Sequence, residues 1–162
     1  LGLHALPPAG AVDRRPTAVL DAAHRWALRN TLSVADDLCP RCGATFETVV
    51  DVCRDHDTGD CVCDACGYRH AVVYTAHCSN CTFDRRLPFG TMLVGTPAVV
   101  AFVASHGVDP TGTDYETFST VFKTYEERVL DHEPFRGAFT FSLGGDDHTV
   151  IARADLSVES AP

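Results

Sequence analysis

The chain has 162 residues, of which 45% are hydrophobic, so it can form one domain with a real core and is not a globally disordered chain. No segment approaches the roughly 18 to 20 consecutive apolar residues that a membrane-spanning helix needs. The net charge of -9 disfavours direct electrostatic binding of this chain to a nucleic-acid backbone.

The first predicted elements are a strand and a helix. Leu1 to Leu6 is predicted to form a short strand, which Pro7-Pro8 ends. Thr17 to Leu32 shows helical periodicity, with Thr17 as the expected N-cap. The expected apolar face of this helix comprises Val19, Ala22, Ala23, Trp26, Ala27 and Asn30. Trp26 is interpreted as an anchor in the core or in an interface.

The central third of the chain contains four pairs of candidate metal ligands, each pair separated by two residues. They are Cys39 and Cys42, Cys53 and His56, Cys63 and Cys66, and Cys78 and Cys81. Such a pair directs both side chains at one ion, and two pairs complete the tetrahedral nitrogen and sulfur site that zinc prefers. Gly43 and Gly67 follow a second cysteine, where the turn favours a positive φ. The spacing therefore predicts two zinc ions.

Two pairings of these ligands are compatible with the spacing. Residues 44–52 and 69–77 read as strands, and one antiparallel register places Cys42 opposite Cys78 and, within one residue, Cys53 opposite Cys66. This nested hairpin gives a base site (Cys39, Cys42, Cys78, Cys81) and a tip site (Cys53, His56, Cys63, Cys66). The alternative is a cross-braced module, in which the first pair joins the third and the second joins the fourth. The hairpin is preferred, and Cys61 has no predicted role.

Two helices and three strands are predicted beyond the metal ligands. The helices are Pro97 to His106 and Asp114 to Glu127. The strands are Arg128 to Asp131, Arg136 to Leu143 and His148 to Ala154. Glu133-Pro134 marks the first turn between them, and Gly144-Gly145-Asp146-Asp147 is typical of a hairpin.

These elements predict an α+β fold, an antiparallel sheet with packed helices and an inserted two-zinc ribbon. The expected division is 1–38 for the first part of the core, 39–82 for the ribbon and 83–162 for the rest of the core. Aromatic residues are candidates for a pocket but are interpreted as core: Trp26, Phe118, Phe122, Phe135, Phe139 and Phe141. His70 and His77 are interpreted as strand or surface histidines, not ligands.

The predicted metal sites favour a structural role over catalysis. Four protein ligands leave no open position for water, and metal binding at such sites contributes to folding. The sequence contains no P-loop, nucleophile elbow or His-Glu-x-x-His pattern, so no enzymatic activity is predicted. The spacing does not separate zinc from iron, because a site of four thiolates accepts either.

The composition indicates a compartment as well. Sixteen aspartates against a single lysine resemble the cytoplasmic proteins of salt-loving archaea. Leu1 to Ala11 have no basic signal-peptide region. Eight cysteines in a chain without a secretory signal are typical of metal ligands in the cytoplasm, not of disulfides.

The chain resembles the C-terminal region of the winged-helix, ArsR-like transcription regulators of haloarchaea. The resemblance covers nearly the whole chain and rests on Leu6-Pro-Pro-Ala-Gly10, His24-Arg-Trp26, Cys39-Pro-Arg-Cys42-Gly43, Val52-Cys-Arg-Asp-His-Asp57, Cys63-Asp-Ala-Cys-Gly67, Cys78-Ser-Asn-Cys81, Thr96-Pro-Ala-Val-Val-Ala-Phe102, Ser105-His-Gly-Val108 and Leu156-Ser-Val158. It implies a zinc-stabilised domain that senses an unidentified small-molecule effector or self-associates. DNA binding would then belong to a winged helix outside this chain.

Two further functions stay open from the sequence. One is a thiol-redox or metal sensor with a labile site, for which the tip site beside Cys61 is the favoured position. The other is a ribbon that binds nucleic acid or a protein partner through arginines in or near it, namely Arg41, Arg54, Arg69, Arg85 and Arg86.

Overall fold

The computed structural model describes residues 6–56, 62–109 and 115–159, and these form an α+β fold with two antiparallel sheets. The α-helices in these ranges are α1 (Pro16–Ala35), α2 (Phe89–Met92), α3 (Pro97–Ser105) and α4 (Tyr115–Phe122). The strands are β1 (Phe46–Val52), β2 (Val72–Cys78), β3 (Asp84–Pro88), β4 (Glu126–His132), β5 (Phe135–Leu143), β6 (Asp146–Arg153) and β7 (Val158–Glu159). Apart from Leu6, the predicted first strand lies outside the described residues, and so does Cys61.

Helix α1 begins with a proline in its first turn, and its N-cap is Arg15 instead of the predicted Thr17. Its buried residues are His24, Ala27, Leu28, Thr31 and Val34. Trp26, predicted as an anchor, is 39% exposed. Trp26 is therefore not part of the buried core, because α1 carries small apolar residues on several faces and periodicity alone does not select the buried one, and an interface anchor at Trp26 stays a prediction.

The first sheet has the order β1-β2-β3, and β2 lies in its centre. The hairpin of β1 and β2 exists as predicted, but its register pairs Phe46, not Cys42, with Cys78. The predicted register was wrong by four residues because the cysteine turns lie beyond the strand ends and do not take part in the ladder. Strand β3, on the other edge of β2, was not predicted.

The second sheet has the order β4-β5-β6-β7. Its predicted hairpin is confirmed: Leu143 pairs with Asp146, and Gly144 and Gly145 both have positive φ, as a two-residue turn of this type requires. The peptide bond in the predicted turn at Glu133-Pro134 is cis.

The predicted helix from Asp114 to Glu127 was too long. Helix α4 ends at Phe122, and Glu126 and Glu127 belong to β4. The aromatic stripe in this segment fits a helix, but Glu126 and Glu127 pair with Thr140 and Phe139 of β5. Tertiary pairing therefore overrides the local helical pattern.

One hydrophobic cluster joins the ribbon to the rest of the fold. Phe89 of α2 lies between the sheets: its ring stacks on Phe139 of β5 with centroids 5.0 Å apart and meets Tyr74 of β2 edge-on at 6.0 Å. Val72 of β2 and Phe141 of β5 are fully buried in the same cluster. The ribbon is therefore packed into the core. No helix in the described ranges is long and apolar enough to cross a membrane.

Candidate metal centres and an adjoining cavity

The structure brings each of the two predicted ligand sets together. Cys39, Cys42, Cys78 and Cys81 form one cluster, the base site, and Cys53, His56, Cys63 and Cys66 form the other, the tip site. In each cluster the candidate ligand atoms lie within 4.8 Å of one another. The nested arrangement is therefore the one adopted, and the cross-braced alternative is not. Neither cluster includes His70 or His77.

The base site has the dimensions of a tetrahedral thiolate site. The Sγ atoms of Cys39 and Cys81 are 3.8 Å apart, and those of Cys42 and Cys78 are 3.5 Å apart. A tetrahedron with metal–sulfur bonds of about 2.3 Å has edges of about 3.8 Å. These distances exclude disulfide bonds between the paired atoms, since bonded sulfurs lie about 2.05 Å apart.

Three of the four ligand pairs share one backbone turn. The N–H of Cys39 donates to the carbonyl of Ala44 at 2.8 Å, and the N–H of Cys63 donates to the carbonyl of Tyr68 at 2.9 Å. Cys78 makes the same contact five residues ahead, with Phe83. Gly43 and Gly67 have φ values of +75° and +73°, as the sequence predicted. This turn leaves both side chains of a pair on the same side of the backbone.

The tip site contains the one imidazole. Nδ1 of His56 lies 3.4 Å from the Cys66 thiol, and Nε2 lies 3.2 Å from the carbonyl oxygen of Arg69. Because a carbonyl oxygen can only accept, Nε2 carries the ring proton and donates a hydrogen bond to the Arg69 carbonyl, while Nδ1 faces the thiols. A backbone partner of this kind fixes the orientation of a metal-binding histidine.

The pKa values of the metal-free thiols are shifted in opposite directions within the clusters. A hydrogen bond with the backbone of Ala44 lowers the pKa of Cys42 to about 6. Burial and the neighbouring Cys66 raise the pKa of Cys53 to about 11. A hydrogen bond with Phe83 lowers the pKa of Cys81, but burial and the adjacent thiols outweigh it and raise the pKa to about 12. Crowded thiolates repel one another, and a divalent ion removes that repulsion.

A largely buried carboxylate fixes the tip of the ribbon to the second sheet. Oε1 of Glu127 in β4 accepts hydrogen bonds from the N–H groups of Ala71 and Val72, the latter at 3.2 Å. Oε2 lies 4.0 Å from Nδ1 of His70, whose ring stacks on Tyr125 at 4.2 Å. Burial raises the pKa of Glu127. Sequence analysis missed Glu127, because nothing in its local pattern distinguishes it from a surface residue.

Among the cavities that the described residues form beside the ribbon, two border the tip site or the helices. A polar cleft of about 960 Å³ separates the tip knuckle from β4 and is lined by Cys53, His56 and Glu127, among others. A second cavity, of about 460 Å³, lies between α1, β3 and α4. Of the predicted pocket aromatics, Phe118 lines this second cavity, whereas Phe122, Phe135, Phe139 and Phe141 belong to the core.

The fold and the clusters define an α+β protein with two four-ligand sites that can hold metal ions. The chain belongs to the family described as Domain of unknown function (DUF7351), which it matches over residues 2–158. Comparison with curated proteins and with solved structures finds no match.

Proposed function

We propose that this chain is a zinc-stabilised, effector-sensing domain of an archaeal transcription regulator, whose DNA-binding winged helix lies outside these 162 residues. The proposal includes a cytoplasmic, haloarchaeal setting, in keeping with the Asp-rich composition. It rests on the family resemblance for the regulatory role and on the structure for the sensing role.

The observation that carries the sensing role is the position of the cavity of about 460 Å³. Its wall combines Ala27 of α1, Leu87 of β3 and Phe118 of α4. A molecule in this cavity would touch the ribbon and two helices together, so its binding energy would favour one relative arrangement of these elements. The volume falls within the usual range of small-molecule sites.

Zinc is proposed for both clusters because each offers four nitrogen or sulfur ligands in a tetrahedral set. With four protein ligands each site has no open coordination position. The metal would therefore stabilise the ribbon and would take no part in catalysis. Native mass spectrometry of protein purified without added metal should find two zinc ions per chain. One ion, or iron, would contradict this part of the proposal.

The regulatory role can be tested in cells with the full-length protein. Chromatin immunoprecipitation should find it at a discrete set of promoters. Ala27→Trp, which places an indole in the cavity, should change transcription of the genes at those promoters. Ala104→Trp, at an exposed position of α3, is the matched control and should change nothing. Absence from promoters would contradict the regulatory role, and a silent Ala27→Trp would contradict the sensing role.

A specific observation also favours self-association. Leu20 and Trp26 of α1 are 71% and 39% exposed, and Trp26 lines a groove of about 670 Å³ with Leu6 and Ala22. Apolar side chains of this size that are exposed on one helix are suited to contact with a second copy. Light scattering should give a dimer that Trp26→Ser converts to a monomer, and a monomeric wild-type chain would contradict this.

A further inference from the structure

The cavity of about 460 Å³ has a charge opposite to that of the chain. The whole sequence has 22 acidic residues against 13 basic ones. Among the described residues, no carboxylate lines the cavity, but four cations do. These cations are Arg69, Arg85, Arg86 and Lys123. In so acidic a protein, such a lining indicates a site for an anion.

Arg85 is the cation of the cavity with a buried nitrogen that has no hydrogen-bond partner among the described residues. Its side chain is partly buried between β3 and α1, and its Nε is fully buried with no hydrogen-bond acceptor among the described residues. Burial lowers the pKa of Arg85, and the neighbouring Asp84 offsets this effect only in part. A buried donor without an acceptor costs free energy. A ligand that supplies an acceptor to this nitrogen would remove that cost.

Two other arginines, Arg136 and Arg86, already have acidic partners. Arg136 forms ion pairs with Asp131 at 2.7 Å and Glu159 at 3.0 Å. Arg86, at the rim of the cavity, lies 3.5 Å from Asp51 and over the ring of Tyr68. The contrast makes Arg85 the specific recognition group and leaves Arg86 a weaker, exposed contributor.

The remaining wall is apolar. Leu28 of α1, Leu87 of β3 and Phe118 of α4 line the cavity beside Arg85, and the ring of Phe118 meets that of His24 edge-on at 5.0 Å. A small inorganic anion would leave this surface in contact with water. A ligand with an apolar body and an anionic end would cover both parts of the wall.

We propose that the cavity binds a small organic acid, with its carboxylate on the Arg85 guanidinium and its aliphatic or aromatic body against Leu28, Leu87 and Phe118. A guanidinium presents two parallel donors that match the two oxygens of a carboxylate. This inference rests on the proposed sensing function and names the class of effector.

The test uses the zinc-loaded chain and probes of defined chemistry. Phenylacetate and hexanoate are titrated against phenylacetamide and hexanamide, their neutral counterparts, with inorganic phosphate as an anion that lacks an apolar body. Binding is followed by the thermal unfolding midpoint and by amide shifts of α1 and β3 in NMR spectra. The acids should raise the midpoint and shift these amides, and the amides and phosphate should do so at least about ten-fold more weakly.

Arg85→Gln should weaken binding of the acids by about 10- to 100-fold. The matched control, Arg128→Gln, removes an exposed arginine of β4 and should leave affinity unchanged. Because Arg85→Gln can also disturb folding, Leu28→Phe serves as a second variant: it fills the apolar part and should weaken the larger phenylacetate more than hexanoate. Both variants must retain the metal content of the wild type.

The outcomes separate this inference from the proposed function. Equal binding of acids and amides, or acid binding that survives Arg85→Gln, would overturn the assignment of an organic acid. Binding of phosphate as tight as that of the acids would overturn it too, and so would binding of no probe. None of these results changes promoter occupancy, so the regulatory role stands or falls on the chromatin experiment alone.

Discussion

The two metal clusters have the same ligand spacing but different surroundings. The base site consists of four thiols at the open end of the ribbon, and one of them, Cys42, is exposed. The tip site contains His56, which is held by Arg69, and it lies beside the segment that Glu127 fixes to the second sheet. The comparison shows that one local motif can close the end of a hairpin in one place and join two sheets in another.

The largest expected effect comes from removing one buried ligand at each site. Cys63→Ser and Cys39→Ser should each lose one metal ion per chain, measured by native mass spectrometry, because three ligands hold a structural ion poorly. Cys63→Ser should also reduce hydrogen-exchange protection in β4 and β5, since Glu127 of β4 accepts hydrogen bonds from Ala71 and Val72, next to the tip site. Cys39→Ser should leave that protection intact. Equal loss of protection in both variants would show that the tip site does not connect the ribbon to the second sheet.

A smaller but still large effect is expected at Glu127. Glu127→Ala leaves the N–H groups of Ala71 and Val72 without their acceptor, at a cost of roughly 1–3 kcal/mol for each donor that water does not reach. Urea unfolding monitored by circular dichroism measures this loss. Glu126→Ala, at the exposed neighbouring position, should have little effect. If the two variants unfold alike, Glu127 does not fix the tip.

The two sites should also differ in how fast they release metal. The tip was the predicted labile site, but among the seven described cysteines Cys42 is the exposed one. Access by a chelator or an oxidant therefore favours release from the base site. Metal transfer to a chromogenic chelator should be biphasic. Cys42→Ser should remove the fast phase and Cys66→Ser the slow one. Loss of the fast phase in Cys66→Ser would restore the tip as the labile site.

The smallest effect concerns pH, far from both clusters. A hydrogen bond with the Phe102 carbonyl and, after it, contact with Asp146 raise the pKa of His106 above 6.5. Because this pKa is higher in the folded state than in the unfolded state, protonation of His106 stabilises the fold. The contribution is fully present below pH 6.5 and disappears as the pH rises through the folded-state pKa. An NMR titration should show Asp146→Asn lowering the pKa of His106. An unchanged pKa would exclude the ion pair.

The sequence predicted those parts of the site that depend on short spacing. The Cys-x-x-Cys turns, the positive φ of Gly43 and Gly67 and the hairpin at Gly144-Gly145 are local, because each is decided by fewer than about six neighbouring residues. Nesting of the ligand pairs was preferred over the cross-braced alternative, which the spacing also allowed, because a hairpin brings the ends of its two strands together. Its register did not follow, because the cysteine turns extend the chain beyond the ladder.

Only the tertiary structure decided the features that join distant segments. Glu127, Arg85 and Trp26 share one property in the sequence: each lies in an amphipathic element whose local pattern does not indicate whether that side chain is buried or exposed. Packing buries Glu127 under the ribbon, leaves Arg85 at the wall of a cavity and turns Trp26 to the surface. Such outcomes depend on which elements meet. The sequence by itself therefore determined where metal can bind, and the packing of the sheets and helices determined where a ligand can.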